Sequence, residues 1–424
     1  MKWIVRPSKL AGTVAVPPSK SHTIRAVLIA ALANGKSVIK NPLIKGDGSS
    51  AIGAARALGA QVDLQGDTLY IDGIGGDYSK GQEFFDMGNS GTGTTLFASV
   101  AALGSKLRRF DGDQSLRSRP VKPLLEALEK LGAMCTIESK DSDLPFTVEG
   151  PIKGGKVSVD GISSQFVSSL LIACPMATAD THITVYNLHE QPYIEMTLWW
   201  LEKQNIEIEY SENFTSYNIA GRQSYKPIDM RVPGDFSTAT FAAVAAAVTD
   251  GTIKLNGLDF SDPQGDKSVM KVLSDIGAKV DIQESSVTIQ NGDLKGMNVD
   301  LNKMPDALPA LCIAACVSRG ETYLSNVEQA RIKETDRIAV MHSELRKMGA
   351  AVRELPDGLV IEQSRLRGAE VCGHHDHRVV MALALAGMIA EGETVIDNAE
   401  AAAVTYPDFV KDFRSLGADI TVEQ

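Results

Sequence analysis

Six short polar clusters each stand immediately before an apolar run: Pro18-Ser19-Lys20-Ser21, Gly88-Asn89-Ser90-Gly91-Thr92, Ser163-Ser164-Gln165, Pro233-Gly234-Asp235-Phe236-Ser237, Pro305-Asp306-Ala307 and His374-His375-Asp376-His377-Arg378. Ser, Asp, Asn and Gly are N-cap residues, so any one cluster reads first as a capped helix start. A buried helix start also presents free N–H groups and the positive end of the macrodipole, which favour an anion. Basic residues fall in the same places: Lys20, Arg25 and Arg378 on the apolar runs, Arg117, Arg119 and Lys122 in the loop SLRSRPVKP, and Arg331, Lys333 and Arg337 in RIKETDR. The chemistry expected of this pattern is the binding of more than one phosphate or carboxylate.

Familiar phosphate motifs do not supply it. GNSGTGTT lacks the Lys-Ser or Lys-Thr of a P-loop and the spacing of a dinucleotide fingerprint. The run His374-His375-Asp376-His377 places adjacent side chains in different directions, and no metal site is expected. Five cysteines (Cys135, Cys174, Cys312, Cys316, Cys372) form no C-x-x-C pair, which speaks against a disulfide framework, and Cys312 and Cys316 read as buried packing.

The elements that must position these clusters are visible as a repeat. A helix-like stretch ending in Gly-Ala recurs as Leu58-Gly59-Ala60, Leu131-Gly132-Ala133, Ile276-Gly277-Ala278, Met348-Gly349-Ala350 and Leu416-Gly417-Ala418. The spacing is about 72 residues or twice that, so a sixth copy is expected near Gln204-Asn205-Ile206, with Asn in the left-handed C-cap slot. The six apolar runs, beginning near Ser21, Ser90, Gln165, Ser237, Ala307 and His377, are rich in Ala and Ser and apolar nearly all round, as central helices are. Alternating β-branched segments such as VSVDGI, THITVYNL and ETVIDNA read as short strands with Gly or Asn turns. The chain is expected to be six α/β units in two groups of three. Three parallel helices in each group would turn six positive ends toward one cleft.

Composition is consistent with this: 424 residues, 44 % hydrophobic and 22 % charged, describe a folded globular chain of two or three domains. The balance of 42 Lys plus Arg against 53 Asp plus Glu, a net −11, disfavours nucleic acid and anionic membranes as partners. The N-terminal MKWIVRPSKLAG lacks the apolar core of a signal peptide and no window reaches the roughly 18 apolar residues of a membrane span, so a cytoplasmic location is expected.

The ordered set PSKS, GNSGT, RSRP, SSQF, PGDFS, PDA, RIKETDR and HHDHR resembles the 5-enolpyruvylshikimate-3-phosphate synthases among the enolpyruvyl transferases, across the whole chain. The resemblance implies a two-domain inside-out α/β barrel, with six βαβαββ-type repeats, three per domain, around buried parallel helices. One domain would be residues 1–18 plus 234–424 and the other 19–233, with the active site in the cleft between them. It implies transfer of the enolpyruvyl group of phosphoenolpyruvate to the 5-hydroxyl of shikimate 3-phosphate, in the aromatic amino-acid precursor pathway, without cofactor or metal. A monomer is expected.

Carried over by position, the resemblance assigns Lys20, Ser21, Arg25, Ser163, Ser164, Gln165, Tyr193, Asp306 and Lys333 to shikimate 3-phosphate. It assigns Lys20, Gly91, Arg119, Gln165, Arg337 and Arg378 to phosphoenolpyruvate. Asp306, Glu334 and Lys20 are the implied catalytic groups, Asp306 as base for the 5-hydroxyl and Glu334 as acid toward the methylene. Glyphosate would compete with phosphoenolpyruvate beside Gly91. Three positions depart from the common pattern: Thr95 and Val404 where Arg and Lys are found in other members, and Glu190 where Ser is usual near the phosphate. Two alternatives stay open. One is a UDP-N-acetylglucosamine enolpyruvyl transferase-like enzyme, disfavoured because DGDQSLRSRP holds no cysteine. The other is a non-catalytic anion-binding paralogue, disfavoured by Lys20, Asp306 and Glu334.

Overall fold

The computed structural model describes residues 1–423. Its repeating element is clearest in residues 155–219. Strand Gly155–Asp160 leads into the apolar helix Ser164–Ala173, and strand Thr181–Tyr186 pairs parallel to the first. Helix Gln191–Lys203 then crosses back to the hairpin Ile208–Tyr210 and Ser216–Ile219, whose second strand pairs antiparallel with Thr181–Tyr186. All six sheets have four strands; four of them follow this spatial order, first, second, fourth, third, and in the other two one strand comes from a distant part of the chain. Alternation fixes the buried face: Val157, Val159, Ile183 and Val185 point inward while their neighbours face out.

The expected tags end the amphipathic helices for one shared reason. Gly59, Gly132, Gly277, Gly349 and Gly417 have φ of 117, 110, 116, 85 and 107°, and Asn205 has φ 54°. The residue after each donates its N–H back to the last helical turn, for example Ala133 N to Leu128 O at 3.0 Å and Ile206 N to Leu201 O at 3.0 Å. This is the Schellman closure, which needs a left-handed residue and so selects Gly or Asn.

The chain divides into two compact units, Met1–Pro17 with Pro233–Gln424, and Pro18–Val232. In the first, strand Gly12–Ala15 pairs parallel with Thr252–Asn256, although its helix Phe236–Val248 follows only after the whole second unit. The N-terminal strand Lys2–Arg6 completes another sheet between Thr394–Asp397 and Asp419–Glu423. In the second unit, Asp229–Arg231 returns to lie parallel to Lys36–Lys40. Each unit thus holds three complete βαβαββ repeats.

The apolar helices form the interior of each unit. In the first, Phe236–Val248, Leu308–Val317 and His377–Ile389 are buried along almost their whole length. Small residues let such helices approach closely: Ser99 and Ser169, on Gly91–Ala101 and Ser164–Ala173 of the second unit, hydrogen-bond at 3.0 Å. Cys312 and Cys316 are buried free thiols, and burial pushes both above their usual range.

Candidate active site

Five of the six apolar helices begin as the sequence predicts, with Ser19, Ser90, Ser163, Asp235 and Asp376 accepting a backbone N–H in the first turn. The sixth differs. Pro305–Ala307 forms a tight 3-10 turn ahead of Leu308–Val317, and Asp306 does not cap that helix. Its carboxylate is drawn instead to two guanidinium groups. Oδ1 accepts from Arg337 Nη1 at 2.8 Å, and Oδ2 lies 2.7 Å from Arg378 Nη2. Arg378 Nη2 also donates to Ser237 Oγ at 2.7 Å, and Nη1 contacts His377 Nε2. The starts of the three buried helices of the first unit therefore meet in one polar knot.

Arg337 lies at the centre of that knot. Only 1 % exposed, it donates from Nε to Asp376 Oδ2 at 2.7 Å, from Nη1 to Asp306, and from Nη2 to Glu334 Oε2 at 2.5 Å and Asp376 Oδ1 at 3.2 Å. Burial alone would lower the guanidinium, but Asp376, Glu334 and Asp306 together reverse this and hold it well above its ordinary value. A planar fork can face several carboxylates at once, which a lysine ammonium cannot. The arrangement sets both carboxylates expected to move protons, Asp306 and Glu334, on one cation. His377 lies 4.0 Å from Glu334, and Lys333 precedes Glu334 at the end of the 3-10 turn Glu328–Ile332.

In the second unit the predicted residues form smaller groups. Lys20 Nζ is 3.3 Å from Asp47 Oδ2, a carboxylate in the first turn of Asp47–Leu58. Arg119 donates to Asn89 O at 3.0 Å, Asn89 Oδ1 at 2.6 Å and Ser115 Oγ at 3.1 Å. That brings it against Gly91, whose absent Cβ would lie 3.0 Å from Arg119 Nη1 and 3.7 Å from Gln165 Oε1. Gly91 has no left-handed φ, and a methyl there would press on the end of the Arg119 side chain.

Arg25 is a buried strut. It reaches Thr197 Oγ1 at 3.0 Å, Ser21 O and Tyr193 O at 3.2 Å, and Ser168 Oγ at 3.5 Å, joining three helices. Burial lowers it to about 10, opposed by Tyr193. Ser163 caps its helix through Gln165 N–H, while Ser164 donates to Glu190 Oε2 at 2.8 Å. Glu190 is itself buried, in a left-handed conformation at the start of Gln191–Lys203. The unusual carboxylate is thus paired with a hydroxyl. Thr95 folds its hydroxyl onto Gly91 O and Thr92 O, and Val404 ends the 3-10 turn Ala399–Val404.

The sequence model of the family described as EPSP synthase (3-phosphoshikimate 1-carboxyvinyltransferase) matches residues 4–413. The 3-phosphoshikimate 1-carboxyvinyltransferase of Acetivibrio thermocellus is 49 % identical over 417 residues, covering 98 % of each chain. The chain belongs to the EPSP synthase family. An enzyme of the same name from Methanocella arvoryzae is 43 % identical over 415 residues, 97 % of each chain. A solved EPSP synthase from Acinetobacter baumannii superposes with a TM-score of 0.83 at 25 % identity, covering all of both chains. As an EPSP synthase family member the chain is a transferase of the shikimate pathway. Among the described residues no helix is long and apolar enough to cross a membrane.

Sequence reasoning did not single out Asp376, Ser237 or Asp47 as site residues. Asp376 sits inside the motif HHDHR, where capping alone accounts for its type, and Ser237 sits in PGDFS, two residues after the cap Asp235. Asp47, in KGDGSS, carries no signal beyond its place in a first helical turn.

Proposed function

We propose that this chain transfers the enolpyruvyl group of phosphoenolpyruvate to the 5-hydroxyl of shikimate 3-phosphate, with release of phosphate. The observation that carries the reading is the pairing of Asp306 and Glu334 on Arg337, with Arg378 on the other oxygen of Asp306. Glu334 protonates C3 of phosphoenolpyruvate, Asp306 takes the hydroxyl proton, and the oxygen bonds to C2 to give a tetrahedral intermediate. In the second half the C2–O bond to phosphate breaks, the methyl group returns its proton to Glu334, and the proton held by Asp306 leaves with phosphate. Lys20, Arg119, Arg337 and Arg378 stabilise the charge that develops.

The two units would act on one substrate pair. Ser21, Arg25, Ser163, Ser164, Gln165 and Tyr193 from one, with Asp306 and Lys333 from the other, would take shikimate 3-phosphate. Lys20, Gly91, Arg119 and Gln165 from the former unit, with Arg337 and Arg378 from the latter, would take phosphoenolpyruvate. This reading also includes a cytoplasmic monomer, so sedimentation should give the chain mass of 45.4 kDa, and a dimer mass would count against it. Phosphate release from phosphoenolpyruvate should require shikimate 3-phosphate. Release with UDP-N-acetylglucosamine instead would transfer the assignment to the sister enzyme.

Gly91→Ala tests the phosphoenolpyruvate side. With no left-handed φ and only side-chain ends to displace, the variant should fold. Its methyl presses on Arg119, so competitive inhibition by glyphosate should weaken about tenfold or more, with the KM for shikimate 3-phosphate nearly unchanged. An unaltered inhibition constant would remove Gly91 from that pocket.

A further inference from the structure

Helix Arg337–Lys347 carries two ionic side chains only 1 % exposed, Arg337 and Glu344. Seven residues apart, they lie on one face, two turns from each other. Both grip the same short stretch, residues 372–376. Arg337 holds Asp376 at 2.7 Å. Glu344 Oε2 accepts the Cys372 N–H at 3.0 Å, its Oε1 lies 2.9 Å from His374 Nε2, and Lys347 Nζ approaches at 2.7 Å. Burial would raise the Glu344 carboxyl, but His374, Lys347 and the Cys372 N–H outweigh it and hold the group below its usual range.

Between the two grips, His374 and His375 have φ of 50 and 57°. Two successive left-handed residues other than Gly persist only where their surroundings hold them. The next residues are Asp376, which caps His377–Ile389 through the Arg378 N–H, and Arg378 itself. A shift of this stretch would move Asp376 away from Arg337 and re-aim Arg378.

We propose that Glu344 and His374 form a latch, with Glu344 a positioning residue that registers residues 372–376 against the Arg337 helix and so aims Arg337 and Arg378 at phosphoenolpyruvate. The latch rests on the reading of those two arginines as phosphoenolpyruvate ligands. Glu344 acts through the stretch it holds and is not a catalytic residue.

The test uses Glu344→Gln, His374→Gly and the double variant, assayed by phosphate release with thermal unfolding measured alongside. His374→Gly removes the imidazole while relieving one left-handed residue, so it keeps the fold and decides the matter even if Glu344→Gln does not fold. Each single variant should raise the KM for phosphoenolpyruvate about tenfold with a smaller change in kcat. The double variant should lose less than the product of the two single losses, because both substitutions remove the contact between Glu344 and His374. A wild-type KM in His374→Gly, multiplying effects in the double variant, or a lowered unfolding temperature with unchanged kinetics would each overturn the latch. A wild-type protein that releases no phosphate from phosphoenolpyruvate and shikimate 3-phosphate would overturn the ligand reading first, and the latch with it.

Discussion

Asp306→Asn and Glu334→Gln should each lower turnover by about 10² or more, the scale of acid–base roles, while the KM values change far less. Both substitutions keep the shape of the side chain and remove the group that carries the proton. They also act on one cluster, since Asp306 and Glu334 share the Arg337 guanidinium. The double variant should therefore lose less than the product of the two single losses, as residues in contact are not additive. Steady-state kinetics of the three proteins decide this. Near-normal turnover in either single variant would take that residue out of the mechanism.

The largest effect on stability should come from Arg337→Met. Arg337 is buried among Asp306, Glu334 and Asp376, and Asp376 is 0 % exposed. Removing the guanidinium takes this cation from Asp376 and Glu334 while Asp306 keeps Arg378, and breaking a buried ion pair in this one-sided way costs about 3–5 kcal/mol. For a unit of this size the unfolding temperature should fall by on the order of 10 °C. Arg337→Lys should recover only part of the loss, because one ammonium cannot take the place of a fork that donates to three carboxylates. Calorimetry decides this: an Arg337→Lys protein as destabilised as Arg337→Met would mean that packing, not charge, dominates at Arg337.

Local chemistry explains which parts of this molecule could be read from its sequence. The Gly-Ala tags announced themselves because a Schellman closure demands a left-handed residue, and even the sixth copy, at Asn205, could be placed by period and by the tolerance of Asn for that backbone. The central helices were legible for a similar reason: few helices are apolar on every side unless buried. Sheet closure was not legible in the same way. Nothing in Asp229–Arg231 says that it pairs with Lys36–Lys40, nor in Lys2–Arg6 that it lies beside Asp419–Glu423, because those partners are chosen by the tertiary fold.

The site divides along the same line. Lys20, Arg119, Asp306, Glu334, Arg337 and Arg378 stand out by type and motif, but their partners do not. Asp376 is as well explained by capping as by its bond to Arg337, and only the structure shows that it does both. Arg25 lies in an apolar run, yet its contacts to Thr197, Ser168 and Tyr193 come from two other helices. Glu190 looked out of place beside a phosphate, and its bond to the Ser164 hydroxyl shows how the fold accommodates it. Asp306 is the instructive exception. A proline and a tight turn withdraw it from capping, leaving the carboxylate for the two arginines.

The most direct measurement is the fate of phosphoenolpyruvate in deuterated water with shikimate 3-phosphate present, followed by mass spectrometry and proton magnetic resonance. Protonation at C3 followed by loss of a proton from a freely turning methyl group should leave deuterium in the vinyl methylene of a product that joins both substrates, and Glu334→Gln should suppress both deuterium uptake and product. Phosphate appearing with pyruvate as the sole organic product, or a joined product whose methylene carries no deuterium, would contradict enolpyruvyl transfer by addition and elimination on the Asp306–Arg337–Glu334 cluster.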